Sequence, residues 1–133
     1  MSKMYDLAIL CGGKGSRLGK ITKKTPKPLI KFGNIEFLQH LLNFYAASPY
    51  IEKIFLLTGY KSDQFNKFHN KYVNLKKIIC LSEKKPLGTL GALSILKKKI
   101  NKSFLVINGD SFIQFDLTSF LKANGQNKIL VKN

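Results

Sequence analysis

Short apolar runs recur along this chain, each closed by a glycine, a polar break or a turn: Leu7-Ala8-Ile9-Leu10, Ile54-Phe55-Leu56-Leu57, Ile78-Ile79-Cys80-Leu81 and Phe104-Leu105-Val106-Ile107. They are too brief for helices. An unbroken apolar run is what a strand shows when both of its faces are covered. The segments between them carry helical spacing. Over 35–47, Ile35, Leu38, Leu42 and Tyr45 share a face that Leu41 and Phe44 widen, and Ser48-Pro49 stops it. Ser62 or Asp63 begins a second helix with Phe65, Phe68 and Tyr72 on one stripe. A third helix spans 90–100 with Leu93, Leu96 and Ile100 inward, and a fourth spans 117–123. Asp116 caps the fourth, and Phe115 and Phe120 are spaced for a hydrophobic staple across its start. The strands are expected over 5–11, 54–58, 75–81 and 104–107, with a short one at 29–32 and a fifth long one beginning at Ile129-Leu130-Val131. Strands alternating with helices give an α/β domain with a mainly parallel sheet, whose ligands gather beyond the carboxyl ends of the strands.

The chain's 133 residues suit a single domain over 1–133, and 44% hydrophobic residues exclude a disordered polymer. No apolar run reaches the ~18 residues of a membrane span, so no membrane association is expected. No apolar leader with a cleavage site opens the sequence, and its two cysteines, Cys11 and Cys80, read as buried free thiols in a reducing, cytoplasmic setting. The 23 basic residues outnumber the 7 acidic ones, giving a net charge of +16. The lysines are scattered rather than gathered in a block, which describes a solvated surface better than a nucleic-acid interface. Such a surface still draws anionic substrates, and the scarcity of acids makes each carboxylate informative.

Immediately after the first strand comes Cys11-Gly12-Gly13-Lys14-Gly15-Ser16-Arg17-Leu18. Closely spaced glycines let backbone N–H groups approach an anion unobstructed. Lys14 lies among them, and Arg17, the single arginine of the chain, brings a forked donor suited to phosphate. The spacing fits neither the Walker A loop nor the dinucleotide fingerprint, which needs a third glycine where Leu18 stands. Residues 12–28 are read as one long loop. Pro26 and Pro28 bracket Lys27 and exclude helix there, so that the stiffened loop returns one lysine toward the glycines. A triphosphate clamp and an ordinary Gly/Pro-rich surface loop are the two readings.

Two further strand ends carry polar groups. After the third strand come Glu83-Lys84-Lys85-Pro86-Leu87-Gly88-Thr89-Leu90-Gly91-Ala92. Glu83 has the acceptors for a guanine edge, or is a solvated carboxylate beside two lysines. Gly91 admits either a nucleobase or close packing on a strand. The fourth strand runs into Asn108-Gly109-Asp110-Ser111. Asp110 is placed to hold Mg²⁺ with phosphate oxygens, or is a turn aspartate. Asp6, Asp63, His40 and His69 need no functional role, the histidines being read as helical residues with no second ligand at spacing.

Taken together, these motifs resemble the sugar-1-phosphate nucleotidyltransferases. The resemblance rests on Gly12-Gly13-Lys14-Gly15-Ser16-Arg17-Leu18, on Pro26-Lys27-Pro28, on Glu83 through Ala92, and on Gly109-Asp110. It covers nearly the whole chain, and within the family is strongest toward heptose-1-phosphate and mannose-1-phosphate guanylyltransferases. It implies a three-layer sandwich with a mainly parallel, Rossmann-like sheet, of which this chain holds the nucleotide-binding half. It also implies that the family's acceptor half, with a second metal-binding aspartate, is not included, so that the chain is expected to be shortened and prone to homo-oligomeric association. For the site it implies the backbone of Leu10, Gly12 and Gly13 at base and ribose, and Glu83 and Gly88 at the base. Lys14, Gly15, Ser16, Arg17 and Lys27 fall to the triphosphate, with Asp110 on Mg²⁺ and with Arg17, Lys27 and Asp110 catalytic. The implied reaction joins a nucleoside triphosphate, GTP favoured, to a sugar 1-phosphate, heptose favoured, giving an NDP-sugar for lipopolysaccharide or capsule. A mannose- or glucose-1-phosphate enzyme and a non-catalytic nucleotide-binding or regulatory module are the alternatives.

Overall fold

The computed structural model describes residues 3–85 and 88–125, apart from the side chain of Ser16. The expected strand at Ile129-Leu130-Val131 lies outside the described residues. In chain order the elements are β1 (Tyr5–Leu10), α1 (Lys20–Lys24), β2 (Lys31–Phe32), β3 (Ile35–Glu36), α2 (Phe37–Ala46), β4 (Ile51–Thr58), β5 (Tyr72–Val73), β6 (Lys76–Ser82), α3 (Gly88–Lys97), β7 (Phe104–Asn108) and α4 (Leu117–Lys122). Single 3₁₀ segments occupy Ser16–Leu18, Lys27–Leu29 and Ser62–Phe68.

The main sheet runs β5-β6-β4-β1-β7. β6, β4, β1 and β7 are mutually parallel, and among the described residues only β5 is antiparallel in this sheet. The two-residue side-chain period sorts each strand between two cores. Leu7, Ile9, Ile54, Leu56 and Ile78 face α2 and α4, where Leu38, Leu41, Leu42, Leu117 and Leu121 meet them. Ala8, Phe55 and Leu57 face the other way, onto Ala92, Leu96 and Ile100. The expected three layers are thus helix, sheet, helix. The chain leaves β1 in one direction, through β4 to β6, and then crosses back to place β7 on β1's other side. Such a reversal of strand order opens a crevice at the carboxyl ends.

Several local expectations are corrected. The 12–28 stretch holds α1 and two 3₁₀ turns instead of uninterrupted loop. Lys27 is helical after all, because a single 3₁₀ turn needs only the bonds Leu29 N–H to Pro26 O (2.9 Å) and Ile30 N–H to Lys27 O (3.2 Å). Neither bond asks Pro28 for a donor. Ile35 and Glu36 pair with Phe32 and Lys31 in a small hairpin, so α2 starts two residues later than its apolar spacing suggests. The second helix is a 3₁₀ segment: Phe65 and Phe68 are buried because three residues make one 3₁₀ turn. Tyr72 leaves that stripe for β5 and is 63% exposed. Leu75, expected in the third strand, occupies with Asn74 a two-residue hairpin turn in which both have positive φ (46° and 66°), as a type I′ turn requires. Asn74 is anchored by donating Nδ2–H to Ala46 O at 3.1 Å.

Asp6 lies inside β1. It is buried, accepts the Lys53 N–H at 3.2 Å and pairs with Lys102 at 3.2 Å, so it is structural. His40 donates to Phe32 O at 3.0 Å, and His69, outside any helix, accepts the Cys80 N–H at Nδ1. Cys11 is buried and Cys80 half-buried, both free. Burial pushes the Cys80 thiol up to about 11 and raises that of Cys11 further.

The α4 cap forms as its sequence requires. Asp116 accepts the Ser119 N–H at 3.0 Å and the Ser119 hydroxyl at 2.6 Å, and the Phe115 and Phe120 rings meet edge to face at 5.7 Å. These bonds, the hydroxyl first, hold the Asp116 carboxyl below its ordinary 3.8. A depressed carboxylate stabilises at pH above its unfolded value and loses that contribution as pH falls through the folded one. The protection of the Ser119 amide, taken relative to its intrinsic exchange rate at each pH, is therefore expected to be full above 3.8 and to fall as the pH drops through the lower value of the folded state, and Asp116→Asn to flatten that dependence. An unchanged profile in the variant would refute the assignment.

Candidate nucleotide-binding site

A cavity of about 590 Å³ lies over the carboxyl ends of β1, β4, β6 and β7. Of the residues singled out from sequence, it brings together Leu10, Gly12, Gly13, Lys14, Gly15, Lys27, Glu83, Gly88 and Asp110. Arg17 is exposed on the Ser16–Leu18 turn and is not part of the lining. The side chain of Ser16 lies outside the described residues. Gly91 is half-buried in the first turn of α3 and stays out of the lining; that helix meets the cavity through Gly88, Thr89 and Ala92.

Backbone bonds shape the floor. Cys11 donates to Leu57 O at 2.8 Å and Gly109 to Leu10 O at 2.9 Å, so the loops after β1, β4 and β7 are tied to one another where the strands end. Gly12 passes so close to Gly59 that a Cβ on it would stand 3.5 Å from the Gly59 nitrogen. Gly109 is tighter: a Cβ there would stand 2.8 Å from Leu10 O, 3.0 Å from Cys11 Sγ and 3.2 Å from Pro28 Cγ. Gly15 has φ +60°, a left-handed conformation that costs other residues more.

Four lysines, Lys14, Lys27, Lys84 and Lys85, border the cavity against two carboxylates, Glu83 and Asp110. The excess favours an anion. Lys27 Nζ lies 3.3 Å from Asp110 Oδ2, and Ser111 Oγ donates to Asp110 Oδ1 at 3.1 Å. Among the described residues no group of three or more His, Cys, Asp or Glu could hold a metal ion. A divalent cation here needs most of its oxygens from a ligand, which suits Mg²⁺ shared with phosphates.

Sequence reasoning passed over Tyr60, Thr89 and Asn108, which also line the cavity. Tyr60 follows β4 directly through Gly59, so the rule that ligands gather at carboxyl strand ends was the signal that marks it.

Comparison with known proteins places this cavity in a family context. The nucleotidyl transferase family model matches residues 7–130. The bifunctional protein GlmU of Methanococcus vannielii is 34% identical over 116 residues, covering 87% of this chain and 27% of GlmU. The D-glycero-alpha-D-manno-heptose 1-phosphate guanylyltransferase of Campylobacter jejuni is 36% identical over 117 residues, covering 87% of this chain and 52% of that protein. Among solved structures, HddC from Yersinia pseudotuberculosis in complex with GMP-PN superposes with a TM-score of 0.75 at 35% identity, over 90% of this chain and 53% of that one. The chain thus spans between about a quarter and about half the length of these relatives.

Proposed function

The chain belongs to the nucleotidyl transferase family, and from that premise we propose that its cavity binds a nucleoside triphosphate, GTP in preference, and serves nucleotidyl transfer to a sugar 1-phosphate. The proposed reaction releases pyrophosphate and leaves an NDP-sugar, with a heptose 1-phosphate as the favoured acceptor and lipopolysaccharide or capsule as the destination. The observation that carries this reading is the convergence of the glycine loop, Lys27 and Asp110 on one cationic cavity at the point where strand order reverses. The guanylyl and heptose preferences are supported by the likeness to the Campylobacter heptose 1-phosphate guanylyltransferase and to HddC in complex with GMP-PN. No helix among the described residues is long and apolar enough to cross a membrane; the proposed setting is the cytoplasm.

The chemistry needs little beyond charge and alignment. A sugar phosphate is already anionic near neutral pH, so its oxygen attacks the α-phosphorus without a general base and pyrophosphate departs in line. In this scheme Gly12, Gly13 and Leu10 present backbone to the base and ribose, and Glu83 and Gly88 border the base. Lys14, Gly15, Ser16 and Lys27 attend the phosphates. Arg17, exposed beside the loop in this structure, would join them only by turning inward. Asp110 would hold Mg²⁺, which when bound offsets phosphate charge and orients its oxygens. Lys27 then exchanges its carboxylate partner for phosphate oxygen.

The test is a thermal-shift panel of the four nucleoside triphosphates with Mg²⁺. A triphosphate at about 100 times its Kd should stabilise the fold by about 2.7 kcal/mol, GTP most, and addition of sugar phosphates should then yield pyrophosphate. No shift with any triphosphate would overturn the reading.

A further inference from the structure

Helix α1 is five residues long, Lys20–Lys24, and its N-cap Gly19 offers no side-chain hydrogen bond. A helix of one turn does not recover the cost of its own nucleation, so something outside it must hold it. That something comes from the segment after β4. The Tyr60 hydroxyl donates to Thr22 O at 2.8 Å, and Gln64 Nε2 donates to Lys24 O at 2.9 Å. Both carbonyls lie near the C-terminal end of α1, where no intrahelical donor remains. Thr22 passes the restraint on. It is only 3% exposed, and its hydroxyl hydrogen is shared between Gly15 O at 2.9 Å and Gly19 O at 3.2 Å. Gly15 is packed so closely that a Cβ on it would stand 3.0 Å from Thr22 Cγ2 and 3.4 Å from Lys27 Cβ. Tyr60 also grips the other arm of the loop, its backbone N–H donating to Gly12 O at 3.3 Å.

We propose that Tyr60 and Thr22 are positioning residues which set the curvature of the glycine loop, so that the backbone from Gly12 to Gly15 and the Lys27 stem face the phosphates of a bound nucleotide. Tyr60 is the strut, braced on Gly12 through its main chain and on α1 through its hydroxyl. Thr22 carries the restraint from α1 to Gly15. The assignment rests on the nucleotide reading of the cavity and goes beyond it, since each hydroxyl's single hydrogen is already committed to a backbone carbonyl.

Tyr60→Phe and Thr22→Val remove these hydroxyls with little change of shape, and Thr22→Ser keeps one. For whichever nucleoside triphosphate the wild-type chain binds best, calorimetry on that triphosphate and its monophosphate separates the outcomes. In Tyr60→Phe and Thr22→Val, triphosphate affinity is expected to fall about fivefold, the scale of one lost hydrogen bond. Monophosphate affinity should hold, the ligand-free melting point should fall by no more than several degrees, as the loss of one bond to a buried carbonyl requires, and Thr22→Ser should bind as wild type. Amide exchange should quicken over residues 15–24 and stay unchanged in β1. Parallel loss of both affinities would reduce the strut to a general structural role, and unchanged affinities would remove it; either result overturns the proposal while leaving the nucleotide reading standing. Absence of any triphosphate binding by the wild-type chain would instead remove the reading on which it rests.

Discussion

Replacing Lys27 by alanine is expected to slow pyrophosphate release about a hundred- to a thousandfold, the scale seen when a preorganised group facing developing charge is removed. The fold should survive the change. The Lys27 and Asp110 side chains are 38% and 42% exposed, and an ion pair in water contributes at most about 1 kcal/mol. The melting point should therefore move by no more than a few degrees. Lys27 has a stem as well as a charge, and its Cβ lies against Gly15. Lys27→Met separates the two, because it keeps the stem and loses the ammonium; it should be as slow as the alanine variant. Turnover equal to wild type in either variant would take Lys27 out of the mechanism.

Gly109→Ala should give the largest loss of stability among the loop glycines. The added methyl group meets Leu10 O at 2.8 Å, a backbone atom at the end of β1, a strand paired on both sides. Strand β1 cannot yield without disturbing its pairing to β4 and β7 at once. Overpacking of this kind costs about 1–3 kcal/mol, which for a domain of this size lowers the melting point by roughly 5–15 °C. Gly13→Ala is the control, since nothing lies within 4 Å of a Cβ there and its φ is not positive. It should melt as wild type, yet bind triphosphate less well if the backbone at Gly13 approaches an anion. A Gly109→Ala protein that melts with wild type would show that the β1 and β7 ends are not held as described.

Why could so much of this be read from the chain, and the rest not? The four long strands declared themselves because Leu7 through Leu10, and the runs like it, are apolar on both faces, and only a covered parallel strand needs that. The Asp116 cap and the Phe115–Phe120 staple are local, set by residues within one turn of each other. The cavity was legible for a related reason: strand ends are where an α/β sheet gathers its ligand groups, and Gly12, Lys27, Glu83 and Asp110 all follow strands or the loop leaving one. What stayed hidden depends on distant partners. Lys20–Lys24 has no apolar stripe, and its helix exists because Tyr60 and Gln64, some forty residues on, cap its carbonyls. Phe65, Phe68 and Tyr72 fit an α-helical stripe equally well. The turn at Asn74-Leu75 decides against it, and its anchor is Ala46 O, on another helix. Arg17 was chosen for its chemistry, and chemistry alone does not say which way a side chain on an exposed turn points.

The sheet's order also governs how the molecule comes into being. β1 is first in sequence and interior to the sheet, bonded on one side to β4 and on the other to β7, with Asp6 opposite Phe104. As the polypeptide emerges from a ribosome, β1, β4 and β6 have all appeared once Ser82 is out, whereas one flank of β1 keeps its amides and carbonyls unpaired until Phe104–Asn108 arrives. Asp110 follows that last strand, so the acidic side of the cavity is completed after its cationic side. During that interval the nascent chain presents an open strand edge, and the closure of β7 onto β1 joins the most distant partners in the sheet, Asp6 with Phe104.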